Sequence, residues 1–483
     1  MERKNAWLQY TEEEKEAIHK LGERYKDFLN KGKTERECVK EAIVLAEKNG
    51  YRNLTEIRKQ GYQVKAGDKI YAQCMGKALV LFHIGSEPME NGLNILGAHI
   101  DSPRLDIKQN PLYEDTEMAL LDTHYYGGVK KYQWVALPLA LHGVVAKKDG
   151  TVQEIVIGED PADPVVGITD LLIHLAGDQL DKKARTVIEG ENLDILIGSQ
   201  PLVLKEHPSG ISNGHSAGNM EEDAEAKKNG KDKVVSYILQ ILKDRYGMEE
   251  EDFLSAEIEA VPAGPARDFG LDCSMIMGYG HDDRICAYTS LSAMLESQGL
   301  RKTGVCLLVD KEEVGSMGAT GMQSRFFENT LAELMDLAGQ YSELALRRAL
   351  AASRMLSSDV SAAYDPNFSN VFEKKNTAYF GRGMVFNKYT GARGKSGSND
   401  ASAEYMAALR KIMDDNRIAW QTAELGKVDQ GGGGTIAYIT ANYGMEVIDS
   451  GIAVLNMHAP WEIGSKADIY EAAKGYAAFL REA

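Results

Sequence analysis

The sequence predicts an α/β protein in which a mostly parallel sheet is covered by helices on both faces and interrupted by an inserted β-rich domain. Three observations lead there. The chain has 483 residues, too long for one ordinary hydrophobic core, so length predicts two or three compact units, of which two are assumed at the outset. After Phe253 the chain reads as strands alternating with helices, the pattern of a mostly parallel sheet covered on both faces. Its middle reads as short, alternating, turn-punctuated segments, the pattern of β structure.

Taken in order, Ile18, Leu21, Tyr25, Phe28 and Leu29 recur at helical spacing, followed by Val39, Ile43, Val44 and Leu45 and closed by Asn49-Gly50, so two amphipathic helices open the chain. The runs KIYAQ, ALVLFHIG and NILGAHID then read as strands, the last ending at Asp101. From about Leu112 the segments THYYGGVKKYQWVALPLALHGVVAKKDG and TVQEIVIG read as a β module. Residues 205–233 are polar, Gly-rich and aperiodic, a long surface loop with His207 and His215 in solvent. After Phe253 strands and helices alternate again: AEIEAVPA, CSMIMGYG, a helix from about Ile285 to Ser297, GVCLLVD, a long helix through 329–354, RMLSSDV and GMVFNKY. Residues 1–111 and 255–483 are therefore expected to form one split sheet domain around a β-rich insert at 112–254.

Apolar residues at 43% and charged residues at 26% are ordinary for a globular chain. A formal charge of -17 repels phosphate backbones and anionic headgroups, which argues against nucleic acid and membrane partners. The first twenty residues carry acids and lysines with no apolar stretch to serve as a signal or span, so a cytoplasmic protein is expected. Cys38, Cys74, Cys273, Cys286 and Cys306 include no C-x-x-C pair, which argues against a disulfide framework or a thiolate zinc site. Any metal must use other ligands.

Isolated His, Asp and Glu residues fall at or just beyond the carboxyl ends of the expected strands, where open α/β sheets place their ligand sites. His99 and Asp101 are two apart in extended chain and project to one side, so the carboxylate can fix the tautomer of a ligating imidazole; a structural histidine reads equally well. Asp282 and Asp283, in GHDDR before a helix, are either ligands or caps. Asp310, Glu312 and Glu313 follow a buried strand, where three acids are costly without a compensating cation. One Glu can ligate while its neighbour serves as general base, or the segment is a solvated acidic turn. Asp359 after RMLSS and His458 after GIAVLN are ordinary singly. Jointly these residues put two histidines and three or four carboxylates on one edge of a sheet, a donor set suited to zinc, cobalt or manganese. The loop Asp429–Thr435 offers Gly433 and Gly434 for close approach to a substrate, or is a flexible turn.

In order and context these motifs resemble the metallo-aminopeptidases of the aspartyl aminopeptidase and vacuolar aminopeptidase I family, with a more distant similarity to tetrahedral aminopeptidases. The likeness covers nearly the whole chain, from the opening helices to His458-Ala459-Pro460-Trp461-Glu462. It implies a zinc-peptidase-like fold, peptide substrates with a free N-terminus and two divalent metal ions per chain, zinc first and cobalt or manganese as alternatives. It further implies that His99 and Asp359 hold one ion, Glu313 and His458 the other, and Asp282 bridges them. Asp101 would orient His99, Glu312 would act as general base, and the peptide Asp282–Asp283 would be cis. A homo-oligomer, a tetrahedral dodecamer contacting through the β-rich insert, is also implied.

The match departs at three places. Asn387, with Lys388 adjacent, stands where aspartyl aminopeptidases carry a substrate-binding lysine, and Ala362 where they carry a histidine, so a preference for acidic N-terminal residues is in doubt. A Pro-His pair of the insert is replaced by Thr169-Asp170. His174 nearby, between Ile173 and Leu175, is expected in the core. Two other readings stay open: a two-metal deacylase or carboxypeptidase on small amides, and a non-catalytic scaffold, against which Glu312 and the complete ligand set argue.

Overall fold

The computed structural model describes residues 3–203 and 233–483, and the chain divides into two compact units, Met1–Pro103 with Pro265–Ala483, and Arg104–Gly264. In the first unit the two opening helices, Glu12–Lys31 and Glu35–Lys48, each start at a capping box, Thr11 with Glu14 and Thr34 with Glu37. A nine-stranded sheet follows, in the order Arg52–Asn53, Lys69–Cys74, Ala78–His83, Thr303–Val309, Leu93–His99, Arg354–Ser358, Glu446–Gly451, Met384–Asn387 and Trp420–Thr422.

Side-chain alternation splits this sheet between two hydrophobic clusters. Leu96, Ala98, Leu308, Leu356 and Ile448 pack with the opening helices and with helices His281–Glu296, Ala403–Asp415 and Lys466–Glu482. Ile95, Leu307, Met355 and Val447 pack with helices Phe326–Leu337, Glu343–Ala351 and Ala437–Ala441. Successive residues of one strand serve opposite faces, so helices cover both. The expected long helix through 329–354 is two helices, because Gly339, at φ 66°, ends the first and the Ser342 hydroxyl caps the second.

The sheet is mixed. Strands Thr303–Val309, Leu93–His99, Arg354–Ser358 and Glu446–Gly451 run parallel in its centre. Three joints are antiparallel: Lys69–Cys74 with Ala78–His83, Ala78–His83 with Thr303–Val309, and Met384–Asn387 with Glu446–Gly451. The first is dictated by a connection of Met75-Gly76-Lys77, far shorter than the dozen or so residues a parallel crossover needs. The parallel centre brings the ends of the His99, Val309 and Ser358 strands to one edge. A second, five-stranded sheet in the same unit runs Arg267–Phe269, Met275–Gly278, Glu462–Ser465, Ala453–Leu455 and Ser361–Ala362.

The second unit is a six-stranded antiparallel sheet, Val152–Ile157, Leu139–Ala146, Ala256–Pro262, Arg104–Asp115, Met118–Tyr126 and Ile195–Gly198. Its boundaries differ from the expected 111/112 and 254/255. Ala256–Pro262 pairs along its whole length with Leu139–Ala146, and Arg104–Asp115 pairs with Met118–Tyr126, so both belong to this sheet. Helix Lys233–Tyr246 packs Val234 and Val235 against Ala119 of the sheet, where no helix was expected. His174 is not in the core. It is exposed in the turn Ile173–Leu175, whose Ile173 and Leu175 are 66% and 69% exposed, because consecutive apolar residues cannot all face one core. The expected loop with His207 and His215 lies outside the described residues, apart from Lys233. Among the described residues no helix is long and apolar enough to cross a membrane.

Candidate metal centre

His99 ends a central strand that is buried throughout. Its Nδ1 lies 3.0 Å from the Asp101 main-chain oxygen and 3.3 Å from Asp101 Oδ1. This leaves Nε2 to face Asp282 Oδ1 at 3.1 Å, with Glu312 Oε2 and Asp359 Oδ1 each at 3.9 Å. Asp101 has a second set of contacts that sequence reasoning missed. Its Oδ1 accepts the Glu312 N–H and its Oδ2 the Glu313 N–H, each at 3.1 Å. One buried carboxylate thus orients the imidazole and fixes the main chain of both glutamates. Asp310, just before them, is buried and accepts from the Lys311 N–H and the Thr320 hydroxyl, so it caps the turn and does not join the cluster.

Asp282 and His458 come from the five-stranded sheet, not from the edge that supplies His99, Glu312, Glu313 and Asp359. Asp282 follows strand Met275–Gly278, has extended φ/ψ of -81° and 106° at the start of its helix, and is joined to Asp283 by a cis peptide. Its carboxylate divides between two imidazoles: Oδ1 faces His99 Nε2 at 3.1 Å and Oδ2 faces His458 Nε2 at 3.2 Å. His458 follows strand Ala453–Leu455 and also lies 3.5 Å from Glu313 Oε1.

Glu462 is the functional residue the sequence reading passed over. Buried at the start of the strand between those two, it accepts the Asp282 N–H at 2.9 Å through Oε2 and the His458 N–H at 2.7 Å through Oε1. It therefore sets the spacing of the two residues that close the centre. The available signal was an acid opening a buried strand four residues after His458, yet its partners follow only from the pairing of Gly278 with Glu462 and of Leu455 with Ile463.

Asp101, Asp282, Glu312, Glu313 and Asp359 meet His99 and His458 in a largely buried space. Burial pushes the Glu312 carboxyl up to about 7, with His99 pulling it back and Asp101 and Asp282 adding to the rise. Burial likewise raises Glu313 and Asp359 well above the carboxylate range. Against burial, hydrogen bonds with His458 and His99 hold Asp282 well below it. Burial would lower His99, but Asp101 and Asp282 raise it well above the ordinary histidine value. Such an excess of buried acid costs several kcal/mol per unpaired charge, and a cation relieves it.

The donors fit a cation. Ligand atoms of His99, Asp282 and Glu313 lie within 4.8 Å of one another, as do those of His99, Glu312 and Asp359. Glu313 Oε1 is buried with no hydrogen-bond partner. Imidazole and carboxylate without thiolate suit zinc, and also cobalt or manganese.

Of the remaining sequence candidates, Asn387 is buried and its Nδ2 donates to Ser361 Oγ at 2.8 Å. Lys388 is exposed, its carbonyl accepting from the Ala401 N–H. Ala362 pairs with Val454 and brings no imidazole. Thr169 and Asp170 are exposed in the other unit. Gly433 and Gly434 have open space where a Cβ would stand, so packing within the chain does not require glycine there. It does at Gly431 and Gly432, where a Cβ would come within 1.5 Å of the Leu425 oxygen and 2.1 Å of the Gly391 oxygen.

Open α/β sheets that gather imidazole and carboxylate donors beyond their strand ends make metal-dependent hydrolases, and this fold and cluster are of that class. Comparison with known proteins gives the branch. The model of the Aminopeptidase I zinc metalloprotease (M18) family matches residues 28–480, and the chain belongs to that family, whose members are metallo-exopeptidases. A probable M18 family aminopeptidase 1 from Clostridium acetobutylicum is 61% identical over 479 residues, covering 99% of this chain and 98% of the relative. The crystal structure of an M18 family aminopeptidase from Thermotoga maritima superposes with a TM-score of 0.90 at 42% identity, each chain covered completely. The S. cerevisiae mApe1 dodecamer shares the fold at a TM-score of 0.72 and 20% identity, with 95% of each chain covered.

Proposed function

We propose that this aminopeptidase works with two divalent ions, zinc by preference, and releases one residue at a time from peptides with a free N-terminus. The observation that carries this reading is the Asp282 carboxylate, whose two oxygens face two different imidazoles at 3.1 Å and 3.2 Å. His99 with Asp359 would hold one ion and Glu313 with His458 the other, Asp282 serving both. Ions bound there supply Lewis acidity that polarises the scissile carbonyl and the attacking water.

The chain's own groups do the rest. Glu312 takes the proton of the attacking water and passes it to the departing amine, the work of a carboxylate held at the edge of the cluster with its Oε2 3.9 Å from His99 Nε2. Asp101 holds Glu312 and Glu313 by their main chains, so the base keeps its place while its proton moves. The free amine of the substrate would bind one of the ions or the acids beside them, and that requirement makes the cleavage exopeptidic. With Asn387 and Ala362 at the positions of departure, those two positions bring no cation to select an acidic first residue.

A homo-oligomer joined through the β-rich insert, dodecameric like yeast mApe1, is supported by the exposed apolar run Leu171, Leu172, Ile173 and Leu175 on that unit. A cytoplasmic location is supported by all five cysteines being free thiols, with Cys273 exposed.

A tetrapeptide and its N-acetylated form test the reading against a deacylase or carboxypeptidase. The free peptide is expected to lose its first residue in the zinc-loaded protein, and the acetylated one to turn over at least about 100-fold more slowly, since the free amine is the recognised group. Comparable turnover of both, or release from the carboxyl end, contradicts it.

A further inference from the structure

The nine-stranded sheet carries a buried acid that the chemistry above does not use. Asp449, in strand Glu446–Gly451, pairs with Ser357 on one side and Asn387 on the other. It lies on the sheet face of Val447, which is also the face of Leu93, Ile95 and hence His99. Ser357 pairs with Gly97, two residues before His99, just as Ser357 precedes Asp359 by two. With about 4.8 Å between strands and about 3.3 Å per residue, the Asp449 backbone stands roughly 8 Å from that of Asp359. The side chain is 1% exposed. Its Oδ1 accepts the Thr435 hydroxyl at 2.5 Å, while Oδ2 is buried without a hydrogen-bond partner.

Thr435 ends the glycine loop. At the start of that loop Gly431 and Gly432 are wedged against main-chain oxygens, Gly432 at φ 122°, where a side chain is strained. Between the wedge and the Thr435 anchor lie Gly433 and Gly434, both exposed. The Gly433 carbonyl accepts from the Gly391 N–H at 2.7 Å. Neither the Gly433 nor the Gly434 N–H has a hydrogen-bond acceptor among the described residues. The loop is thus fixed at both ends and presents two free main-chain donors with no Cβ beside them.

The geometry points to Thr435 and Asp449 as a pair of positioning residues that hold the Gly433–Gly434 main chain ready to receive the main-chain carbonyls of a peptide substrate. This rests on the aminopeptidase reading and adds the groups that bind the peptide backbone beside the metal centre. Burial raises the Asp449 carboxyl to about 7, and its Oδ1 accepts the hydroxyl in either protonation state with no water competing for it. The anchor therefore stays made while the free N–H groups await their partner.

Thr435→Val removes the hydroxyl at nearly constant volume, and Thr435→Ser keeps it. In the zinc-loaded protein Thr435→Val is expected to raise KM for a free tetrapeptide about 10-fold with kcat and zinc content within about twofold of wild type, and Thr435→Ser to restore KM. An unchanged KM in Thr435→Val, equal losses in both variants, or a fall in bound zinc overturns the proposal while leaving wild-type turnover as the test of the aminopeptidase reading. Wild-type protein gives a second measurement. A tetrapeptide with a reduced, uncleavable first bond is expected to slow hydrogen exchange of the Gly433 and Gly434 amides, and unchanged exchange at saturating peptide overturns the proposal.

Discussion

Replacing Glu312 by Gln is expected to lower kcat by about 10³-fold while zinc content and KM stay within a few-fold of wild type, because a positioned general base contributes roughly 10²–10⁴ in rate. Gln keeps the size of the side chain and one oxygen at its end but cannot take up the water's proton. The turn should survive the change. Glu312 is tied to Asp101 through its N–H, and Glu313 through its own, so neither contact depends on the side chain replaced. Burial that raises the Glu312 carboxyl to about 7 is relieved in the neutral amide, so no loss of stability is expected. Steady-state kinetics on a free tetrapeptide, with zinc measured on the same sample, checks this. A variant that keeps more than a tenth of wild-type kcat contradicts the assignment of Glu312 as base.

Replacing Asp282 by Ala is expected to reduce activity to background and to empty both metal positions together. Among the described residues no other side chain of the centre stands between both imidazoles, as Asp282 does at 3.1 Å from one and 3.2 Å from the other. Its loss leaves His99 and His458 without the carboxylate that faces them, and breaking such a buried pair costs about 3–5 kcal/mol. The surrounding main chain is held independently by Glu462 on the Asp282 N–H and by Ser102 Oγ on the Asp282 carbonyl at 2.7 Å. The protein should therefore fold at reduced Tm. Metal analysis after zinc loading, beside the peptide assay, reads both effects. Retention of one full equivalent of zinc by Asp282→Ala contradicts a shared ligand.

Much of this centre was legible in the chain because strand ends are local signals. His99, Glu312, Glu313 and Asp359 each follow an apolar run that can be seen without knowing its neighbours. The central parallel strands follow from the same runs. What could not be seen depends on pairing across hundreds of residues. GIAVLN reads as one strand, yet it turns from the nine-stranded sheet at Gly451 to the five-stranded sheet at Ala453, and this carries His458 toward Asp282. Two of the contacts that tie the centre together, from the Asp282 N–H to Glu462 and from the Glu312 N–H to Asp101, join residues 180 and 211 positions apart. AEIEAVPA has the same local pattern as a strand of the large sheet, and only its pairing with Leu139–Ala146 assigns it to the insert. His174 lies in solvent despite apolar neighbours, because its segment has neither the helical nor the strand periodicity that would turn one face to a core.

Anomalous-difference crystallography at the zinc edge, on crystals of the zinc-loaded protein, examines the shared carboxylate most directly. The expected map has two peaks per chain, one on each side of the Asp282 carboxylate, the first touching His99 and Asp359 and the second Glu313 and His458. A single peak, or two peaks of which either lies out of bonding range of Asp282, would contradict it.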